Sequence, residues 1–331
     1  MDARGLTRRR AITIIATSIA GLASSRSAMN HTFVDCEWRG FAMGTDARIV
    51  FSGVEHDSAC MAAAMVSVEI ERLESALSLF RDDSEIARLN RDKVLPEPTG
   101  DMCRALGLAL ELAATTDGLF DPTVQALWEA YANWFAASPG ADIPSQALIS
   151  GALGAVDWRR IKLTHNSIGL GDNQRVTLNG LGQGYVTDRI ADLLRSHGFN
   201  HVLVDLGEQR SIGPRRDGTP WLIGRQGTKG IELTEGALAT SEGSGCVLGA
   251  AGAVHHLFDS RTGRSPSQWQ RVTVHHRSAA IADGLSTALY AAAAHEFPDI
   301  IKRFGDIEVW TTDRDGHEQY WTSPSMAHTK A

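Results

Sequence analysis

The chain has 331 residues, of which 43% are hydrophobic, with a formal net charge of −7 and a pI of about 5.9. This length and apolar content can fill the core of one large domain or two modest ones. Because no basic run occurs beyond the N-terminus, we expect no nucleic-acid partner and no attraction to anionic membrane surfaces. Beyond the N-terminal segment no stretch approaches 18 uninterrupted apolar residues, so we expect no stable membrane insertion.

The N-terminus has the features of an export signal. Thr7-Arg8-Arg9-Arg10 precedes the apolar stretch Ala11–Ala23, and the small-residue segment Ser24–Ala28 follows. This order of regions is typical of a secretory signal peptide, and the paired arginines favour the twin-arginine route. We therefore predict a twin-arginine signal peptide over residues 1–28, a single domain over 29–331 and a periplasmic location. The alternatives are an ordinary export signal or a disordered basic tail.

Four cysteines are spread irregularly along the chain, at Cys36, Cys60, Cys103 and Cys246. They form no C-x-x-C pair, which argues against a metal-binding or redox motif. Export permits a disulfide, but the spacing selects none, and we expect buried free thiols.

The hydrophobic pattern predicts helices in the first half of the chain and short strands in the second. Helices are predicted at Cys60–Phe80, Asp101–Thr116 and from Asp121 to about Phe135. After Asp157, β-forming runs separated by Gly and Asn predict strands at Ile161–Thr164, Arg175–Leu178, Val202–Leu206, Trp221–Gly224 and Ile231–Thr234. Two further helices are predicted at Gly184–His197 and Ile281–His295. Since helices and strands do not alternate regularly, the pattern favours an α+β fold over a doubly wound sheet.

The segment TLNGLGQGYVTDRI, residues 177–190, places three glycines in five positions between a predicted strand and a predicted helix. Glycines at such a junction let the backbone approach a ligand closely, and a helix N-terminus offers unpaired N–H groups to a phosphate. The pattern is neither the dinucleotide fingerprint nor a P-loop. The local pattern leaves both a phosphate-binding turn and a plain tight corner open.

Asp283 and Thr287 are spaced so that both face one side of a helix, one turn apart. A carboxylate, a hydroxyl and a backbone carbonyl are hard oxygen ligands that suit Mg²⁺. The alternative is an Asp that interacts with the helix dipole beside a packed Thr. The spacing of Asp283 and Thr287 alone does not distinguish a metal site from this structural alternative.

His256 lies three residues before Asp259, in a turn that closes at Thr262-Gly263. An Asp at this distance can orient the imidazole ring, and such a pair can act as a general base. The alternative is a pair that only ties down a loop. Asp121 is ambiguous in the same way, because it either caps a helix or serves a site.

Eight segments, taken together and in order, resemble the ApbE family of FAD:protein FMN transferases over essentially all of the predicted mature chain. They are Met43–Thr45, Phe80–Glu85 with Leu89-Asn90, Phe120–Val124, Gly180–Tyr185, Val204–Gly207, Ala239–Ser241, His256–Gly263 and Ala282–Leu289. Eight segments in one order are far more specific than any single motif.

The resemblance implies an α+β fold of the ApbE type, with mixed sheets flanked by helices, that binds FAD and Mg²⁺. It also implies transfer of FMN from FAD to a Thr or Ser hydroxyl of an exported or membrane acceptor protein, with release of AMP. Asp283, Thr287 and the carbonyl of Gly180 fall on metal-ligand positions. The residues near or on FAD-contact positions are Met43, Phe80, Phe120, Asp121, Thr177, Gln183 and Leu257. His256, held by Asp259, is the candidate base for the acceptor hydroxyl.

Several positions depart from the family pattern. Asn179 replaces the first glycine of the turn, Gln183 stands where Lys or Glu is usual, and Thr177 replaces a common Asp. Glu208 and Gln209 replace Gly-Asp after the strand at 202–206. Asp283, Thr287 and His256, in contrast, are the residue types that the family pattern has at these positions.

The turn Asn-Gly-Leu-Gly-Gln-Gly-Tyr, together with twin-arginine export, most resembles the NosX subgroup, which is linked to nitrous-oxide reductase maturation. Its implied acceptor is the membrane flavoprotein NosR. Two alternatives remain open: an FAD pyrophosphatase that uses water as nucleophile, and a non-catalytic flavin-binding assembly factor for a respiratory complex.

Overall fold

The computed structural model describes residues 13–17, 33–138, 140–141, 143–225, 228–249 and 254–327. Its strands are β1 (Thr13–Thr17), β2 (Val34–Ala42), β3 (Thr45–Val54), β4 (Val94–Pro96), β5 (Lys162–Leu163), β6 (Ser167–Gly169), β7 (Val202–Asp205), β8 (Gln209–Ile212), β9 (Trp221–Arg225), β10 (Thr228–Leu233), β11 (Gly236–Glu242), β12 (Val247–Leu248), β13 (Val254–His255), β14 (Trp269–His276), β15 (Glu308–Asp313) and β16 (Glu318–Thr322). Its helices are α1 (His56–Leu77), α2 (Glu85–Asp92), α3 (Gly100–Thr115), α4 (Gln125–Ala137), α5 (Gln146–Leu153), α6 (Gly182–Ser196), α7 (Ala279–Ala291), α8 (Phe297–Ile301) and α9 (Pro324–Ala327).

One nine-stranded sheet forms the centre of the fold, in the order β1-β2-β3-β7-β8-β11-β14-β15-β16. Its neighbouring strands are all antiparallel. Smaller sheets are formed by β4-β6-β5, by the hairpin β9-β10 and by β12-β13. Helices and antiparallel strands in separate runs confirm the predicted α+β class.

The large sheet is a middle layer, because successive side chains of a strand point to opposite faces. Ile49 and Phe51 of β3 join the main core formed with the helices, whereas Val50 between them packs beneath the hairpin β9-β10. Strand β7 alternates in the same way. The helical layer includes α6 and α7, which pack against each other and carry the residues of the site described below.

The predicted helices are confirmed, with shifted ends. Val66, Ile70, Leu73 and Leu77 of α1 are all buried, as their spacing of three and four residues predicts. Helix α3 is capped by Thr99, whose hydroxyl accepts a backbone N–H of the first turn at 3.3 Å. Helix α6 begins two residues earlier than predicted, so the glycines at 182 and 184 lie inside its first turn.

The prediction of a strand at Arg175–Leu178 is wrong. Residues 175–178 belong to no strand, and the backbone of Val176 pairs with a side chain instead. Asn90 Oδ1 accepts the Val176 N–H at 2.7 Å, and Asn90 Nδ2 donates to the Val176 carbonyl at 2.8 Å. The buried N–H and carbonyl of Val176 are therefore satisfied without a neighbouring strand. The apolar pattern of the sequence is the same whether the partner is a strand or a side chain, so it predicted a strand here.

The predicted signal peptide falls largely outside the described residues. Of residues 1–28 only Thr13–Thr17 are described, as strand β1 paired with β2. The cleavage zone and the arginine motif lie outside them, and the signal peptide stays a prediction. In the described part of the chain, no helix combines the length and the apolar content needed to cross a bilayer.

The four cysteines are free thiols, as expected. Only Cys36 is buried, and burial raises the pKa of its thiol. Cys246 is exposed, so the expectation of burial is wrong for that residue.

Candidate active site

Helix α7 presents two of the predicted metal ligands on one side. Its N-terminus is capped by Ser278, whose Oγ accepts the Ile281 N–H at 3.3 Å. The helix packs against α6, β11 and β14, and most of its residues are buried. Asp283 is buried and Thr287 half-buried, one turn apart.

The glycine-rich segment brings the third predicted ligand to this pair. Thr287 Oγ1 lies 3.4 Å from the carbonyl oxygen of Gly180, and Asp283 Oδ2 accepts the Gly184 N–H at 3.0 Å. A Cβ at position 180 would lie 3.0 Å from the Phe120 ring and 3.4 Å from the Thr287 hydroxyl. A side chain there would crowd the Phe120 ring and the Thr287 hydroxyl, so glycine suits this close approach. The predicted carboxylate, hydroxyl and carbonyl therefore converge from two distant segments.

The charge of Asp283 matches a cation site. Burial raises the pKa of this carboxyl to about 7, because the carboxylate loses its hydration. The Gly184 N–H favours the charged form, but no basic side chain among the described residues forms an ion pair with Asp283. A divalent cation would supply the missing positive charge, and a donor set made only of oxygens suits Mg²⁺. The residues present therefore fit the implied metal.

Glu208 is a second buried carboxyl group, to which the sequence analysis gave no role. Burial, and then the charge of Asp283, raise the pKa of Glu208 well above its ordinary value. Its Oε2 accepts the Thr240 N–H at 3.2 Å. With Glu242 and Arg271 it lines a cavity of about 220 Å³ between the sheet and the hairpin β9-β10. Its signal in the sequence was an acidic residue two positions after the predicted strand at 202–206, where the family resemblance expects glycine.

The turn between β2 and β3 forms another wall of the site. Met43 is buried in a left-handed backbone conformation, with φ of 50°, and its N–H donates to Glu74 Oε1 at 2.9 Å. Its methyl group lies 3.4 Å from where a Cβ on Gly182 would be. Gln183 Nε2 donates to Thr45 Oγ1 at 3.1 Å. Met43 and Gln183, both predicted FAD contacts, thus meet at the N-terminus of α6.

Three apolar FAD-contact predictions lie in different settings. Phe80 is 71% exposed, and its ring lies against Gly44, where a Cβ would approach the ring to 2.8 Å. Phe120 is buried beside Gly180, and Leu257 is buried in the main core. An exposed aromatic ring next to the β2–β3 turn offers a stacking surface to a planar ligand. Phe120 instead packs beneath the glycine turn, and Leu257 belongs to the core.

Asp121 and Thr177 use their side chains for local structure. Asp121 Oδ1 accepts the N–H of Thr123 at 2.8 Å and its hydroxyl at 2.5 Å, and Oδ2 accepts the Trp158 N–H at 3.2 Å. The carboxylate of Asp121 is therefore a helix cap. Thr177 Oγ1 accepts the Asn179 N–H at 3.1 Å. Both residues shape the loops that carry their neighbours into the site.

His256 is held by a backbone carbonyl and not by Asp259. Its Nδ1 lies 3.2 Å from the Cys246 carbonyl oxygen. Since a carbonyl can only accept, Nδ1 carries the proton and Nε2 is left as the acceptor. Burial lowers the pKa of His256, which favours the neutral ring.

The predicted pairing of His256 with Asp259 is wrong. Asp259 binds Arg261, at 3.0 Å from Nε and 3.1 Å from the terminal nitrogen. The Arg261 backbone N–H also donates to Asp259 Oδ1 at 2.9 Å. The carboxylate of Asp259 is thus bound within its own turn, by the side chain and the backbone of Arg261.

Two serines link the predicted metal ligands to the strand that leads to His256. Ser241 Oγ, on β11, lies 2.8 Å from Ser286 Oγ and 3.5 Å from Thr287 Oγ1. Ser286 donates to the Asp283 carbonyl at 2.9 Å. Strand β11 continues into the segment whose carbonyl holds His256. Residues 239–241 of β11 are one of the segments that resemble the family, but the sequence predicts no function for their hydroxyls.

Comparison with known proteins gives one consistent answer. A sequence model of the ApbE family matches residues 43–311. The FAD:protein FMN transferase of Salmonella typhimurium strain LT2 is 26% identical over 312 residues, and that of Escherichia coli strain K12 is 25% identical over 313; each match covers 87% of both chains.

Solved structures share the fold. The ApbE protein of Thermotoga maritima superposes with a TM-score of 0.78 at 25% identity, covering 90% of this chain and 99% of that one. The flavin transferase ApbE of Vibrio cholerae gives 0.72 at 22% identity, covering 89% and 99%, which supports the fold alone. Because the family match spans most of the chain and every residue of the converged site, this protein belongs to the ApbE family.

Proposed function

We propose that this chain is an Mg²⁺-dependent FAD:protein FMN transferase, which moves FMN from FAD to a Thr or Ser hydroxyl of an acceptor protein and releases AMP. The observation that carries the proposal is the convergence of Asp283, Thr287 and the Gly180 carbonyl at the start of α6. The relatives named FAD:protein FMN transferase, which align with 87% of this chain, support the same reaction.

The reaction is a phosphoryl transfer, which depends on positioning and on neutralising charge. Mg²⁺ bound by Asp283, Thr287 and the Gly180 carbonyl would supply positive charge at the pyrophosphate oxygens. The protein adds the positive end of the α6 dipole, because Gly182 begins that helix. The FMN phosphorus gains a bond to the acceptor oxygen and loses its bond to the bridging oxygen, which leaves on AMP with the bonding electrons.

His256 is the base for the acceptor hydroxyl in this proposal. Its Nε2 is free to accept a proton, since Nδ1 faces the Cys246 carbonyl. Burial lowers the pKa of the ring, so the base is neutral at pH 7. The hydroxyl proton passes to Nε2 as the new P–O bond forms.

The flavin nucleotide would be bound between the β2–β3 turn and α6. Met43 and Gln183 meet there, and the exposed ring of Phe80 lies against the same turn. A planar isoalloxazine or adenine ring can stack on such an aromatic face.

For location and acceptor, we propose a periplasmic enzyme that is exported by the twin-arginine route. The support is the arginine run at residues 8–10 before an apolar stretch. The resemblance of residues 179–185 to the NosX subgroup supports NosR as acceptor and a role in nitrous-oxide reductase maturation. Purified NosR domain should gain covalent FMN in vitro, and its Ala variant at the modified hydroxyl should not.

The reaction is tested by incubating the purified chain with FAD, Mg²⁺ and an acceptor domain, followed by mass spectrometry of the acceptor and chromatography of nucleotides. A covalent FMN adduct with equimolar AMP supports the proposal. Free FMN with AMP and no adduct identifies a pyrophosphatase. Bound FAD without AMP release identifies a flavin-binding assembly factor. Omission of Mg²⁺ tests the metal requirement in the same assay.

A further inference from the structure

The N-terminal ends of α6 and α7 meet with no space for a side chain between them. A Cβ on Gly184 would lie 2.3 Å from the Ala279 carbonyl oxygen and 2.8 Å from Ala280 Cα. Only glycine lets the two backbones approach this closely. The contact between residues 184–188 of α6 and 278–283 of α7 is called the helix joint below.

Asp188 of α6 binds the first turn of α7 across the helix joint. Its Oδ1 accepts the Ala279 N–H at 2.8 Å, and its Oδ2 accepts the Ala280 N–H at 3.1 Å and the Ser278 hydroxyl at 2.6 Å. The first N–H groups of a helix have no partner within the helix, and the dipole favours a negative charge there. Helix α7 is therefore fixed at its start by a carboxylate of another helix.

Asp283 makes the reciprocal contact. It lies on α7 and accepts the Gly184 N–H, in the first turn of α6, at 3.0 Å. Each helix thus carries the carboxylate that satisfies the first turn of the other. Contacts in both directions fix the separation and the rotation of the two helices. They therefore also fix the 3.4 Å distance from Thr287 Oγ1 on α7 to the carbonyl of Gly180, two residues before α6.

Asp188 is itself held in place by Arg210 of β8. The Arg210 terminal nitrogen lies 2.6 Å from Asp188 Oδ1, and the two side chains are only 12% and 14% exposed. The same nitrogen lies 3.3 Å from Asp192 Oδ1, whose side chain is 50% exposed. Among the described residues Asp192 forms no hydrogen bond with α7, so it shares the arginine of Asp188 and not its function at the joint.

We propose that Asp188 is a positioning residue of the metal site. By fixing α7 against α6, it sets the spacing of the Asp283, Thr287 and Gly180 oxygens without contacting the cation. The inference rests on the proposed function, because it requires that these three oxygens hold Mg²⁺. Asp188 contributes no metal ligand itself, so the spacing of the predicted ligands in the sequence does not indicate its role.

The test measures Mn²⁺ binding to the full chain by electron paramagnetic resonance, with Mn²⁺ as the probe for Mg²⁺. Asp188→Asn keeps the size of the side chain and removes an acceptor oxygen. We expect its Kd for Mn²⁺ to rise at least about tenfold, the range seen when partners of metal ligands are removed. Asp192→Asn is the matched control and should stay within about twofold, because exposed ion pairs contribute little. Asp283→Ala should abolish binding at this site.

Enzyme assays give an independent measurement. Asp188→Asn should raise the Mg²⁺ concentration for half-maximal FMN transfer by the same factor, while kcat at saturating Mg²⁺ stays within about twofold. A purely structural role would instead lower the melting temperature and leave the Mn²⁺ Kd of the folded protein unchanged. Ser278→Ala, which removes one of the three contacts of Asp188 together with the N-cap of α7, is the second variant if Asp188→Asn does not fold; its Kd should rise about threefold.

The outcomes distinguish the positioning role of Asp188 from the existence of the metal site itself. Wild-type Mn²⁺ affinity in folded Asp188→Asn, or in Ser278→Ala where Asp188→Asn does not fold, would overturn the positioning role alone, provided that Asp283→Ala loses binding. An equal loss in Asp192→Asn would also overturn it, since the effect would then belong to the arginine pair. Wild-type binding that Asp283→Ala leaves unchanged would overturn the metal site and the inference together.

Discussion

The helix joint and the histidine segment, residues 254–264, hold their chemical groups in different ways. At the joint, Asp283 is held by a backbone N–H that lies 99 residues away in the chain, inside the packed helical layer. His256 is held by a carbonyl only 10 residues away, beside the two-residue strands β12 and β13. The proposed metal ligand is therefore held within the core, whereas the proposed base is held by a local loop structure. Loops carry more sequence variation than the core, so we expect the histidine segment to tolerate more substitutions than the helix joint.

The largest expected effect is at the joint. Asp283→Ala removes the only carboxylate of the proposed ligand set, so we expect FMN transfer to fall on the order of 10³-fold or more, as for loss of a charge-stabilising group in phosphoryl transfer. Flavin fluorescence of the acceptor in a denaturing gel measures this directly. Asp315→Ala, on the exposed β15–β16 turn, is the matched control and should keep wild-type activity. Full activity of Asp283→Ala would disprove the metal assignment.

In the histidine segment, His256→Ala should slow transfer by about 10²-fold, the contribution of a single general base. FAD affinity should be unchanged, because the ring is proposed to contact the acceptor hydroxyl. Tryptophan fluorescence titration with FAD separates binding from turnover. A large loss of FAD binding would place His256 on the nucleotide side and break the contrast between the two regions.

The pH profile sharpens the same point. The base must be neutral, so activity is lost as pH falls through the pKa of His256. Burial lowers this pKa, so the loss should occur at more acidic pH than for an exposed histidine, whose pKa is about 6.5. The rate measured from pH 8 to 5 should therefore stay level near neutrality and then fall. With Mg²⁺ saturating at every pH, so that protonation of Asp283 does not limit the rate, an acid limb centred above 6.5 would contradict the role.

A smaller effect is expected from the backbone of the joint. Gly184→Ala places a Cβ 2.3 Å from a carbonyl oxygen, so we expect a loss of about 1–3 kcal/mol in the free energy of unfolding, as for overpacked cores. Gly151→Ala in α5 is the control, because a Cβ there meets no atom within 4 Å. It should raise stability by about 0.5–1 kcal/mol through helix propensity. Urea denaturation of both variants measures the difference, and equal stability would show that the helices can separate without cost.

The smallest effect is expected at Asp259. Because its carboxylate binds Arg261, Asp259→Asn should change kcat by less than about threefold, far below the effect of losing the base itself. Steady-state kinetics beside His256→Ala measures the ratio. A loss as large as that of His256→Ala would mean that Asp259 reaches the histidine during turnover.

The relative placement of Asp283, Thr287 and Gly180 could be predicted from the sequence because much of it is local, while their role as metal ligands stays a prediction. Asp283 and Thr287 are one helical turn apart by spacing alone, and Gly180 follows from the family turn. The pattern of apolar residues also located α1, α3, α6 and α7 to within a few residues. The hairpin β2–β3 was not predicted, although it supplies the Met43 turn. Its pairing with β7 joins segments about 150 residues apart, which no local pattern encodes.

The rest depended on tertiary contacts. Asp259 looked like the partner of His256 because the two are three residues apart, but the turn directs the carboxylate to Arg261. Glu208 looked like a family departure, and only packing shows that it interacts with Asp283. The sequence gives no indication of the role of Asp188, because its contacts form only when the ends of two helices meet in the fold. Side chains that act through backbone groups of another element leave no periodic signal in the sequence.

Asn90 gives a reason for the Leu89-Asn90 pair in the family resemblance. Its side-chain amide donates to and accepts from the backbone of the same residue, Val176. One side chain therefore makes the two hydrogen bonds that a neighbouring strand would make. Asp is about the same size but lacks the donor, and Leu lacks both groups, so neither can replace it. Val176 lies four residues before Gly180, and this single amide therefore helps to position the segment whose carbonyl is the predicted metal ligand. Asn90 thus holds one segment of the candidate site from α2, a helix that carries none of the predicted metal ligands.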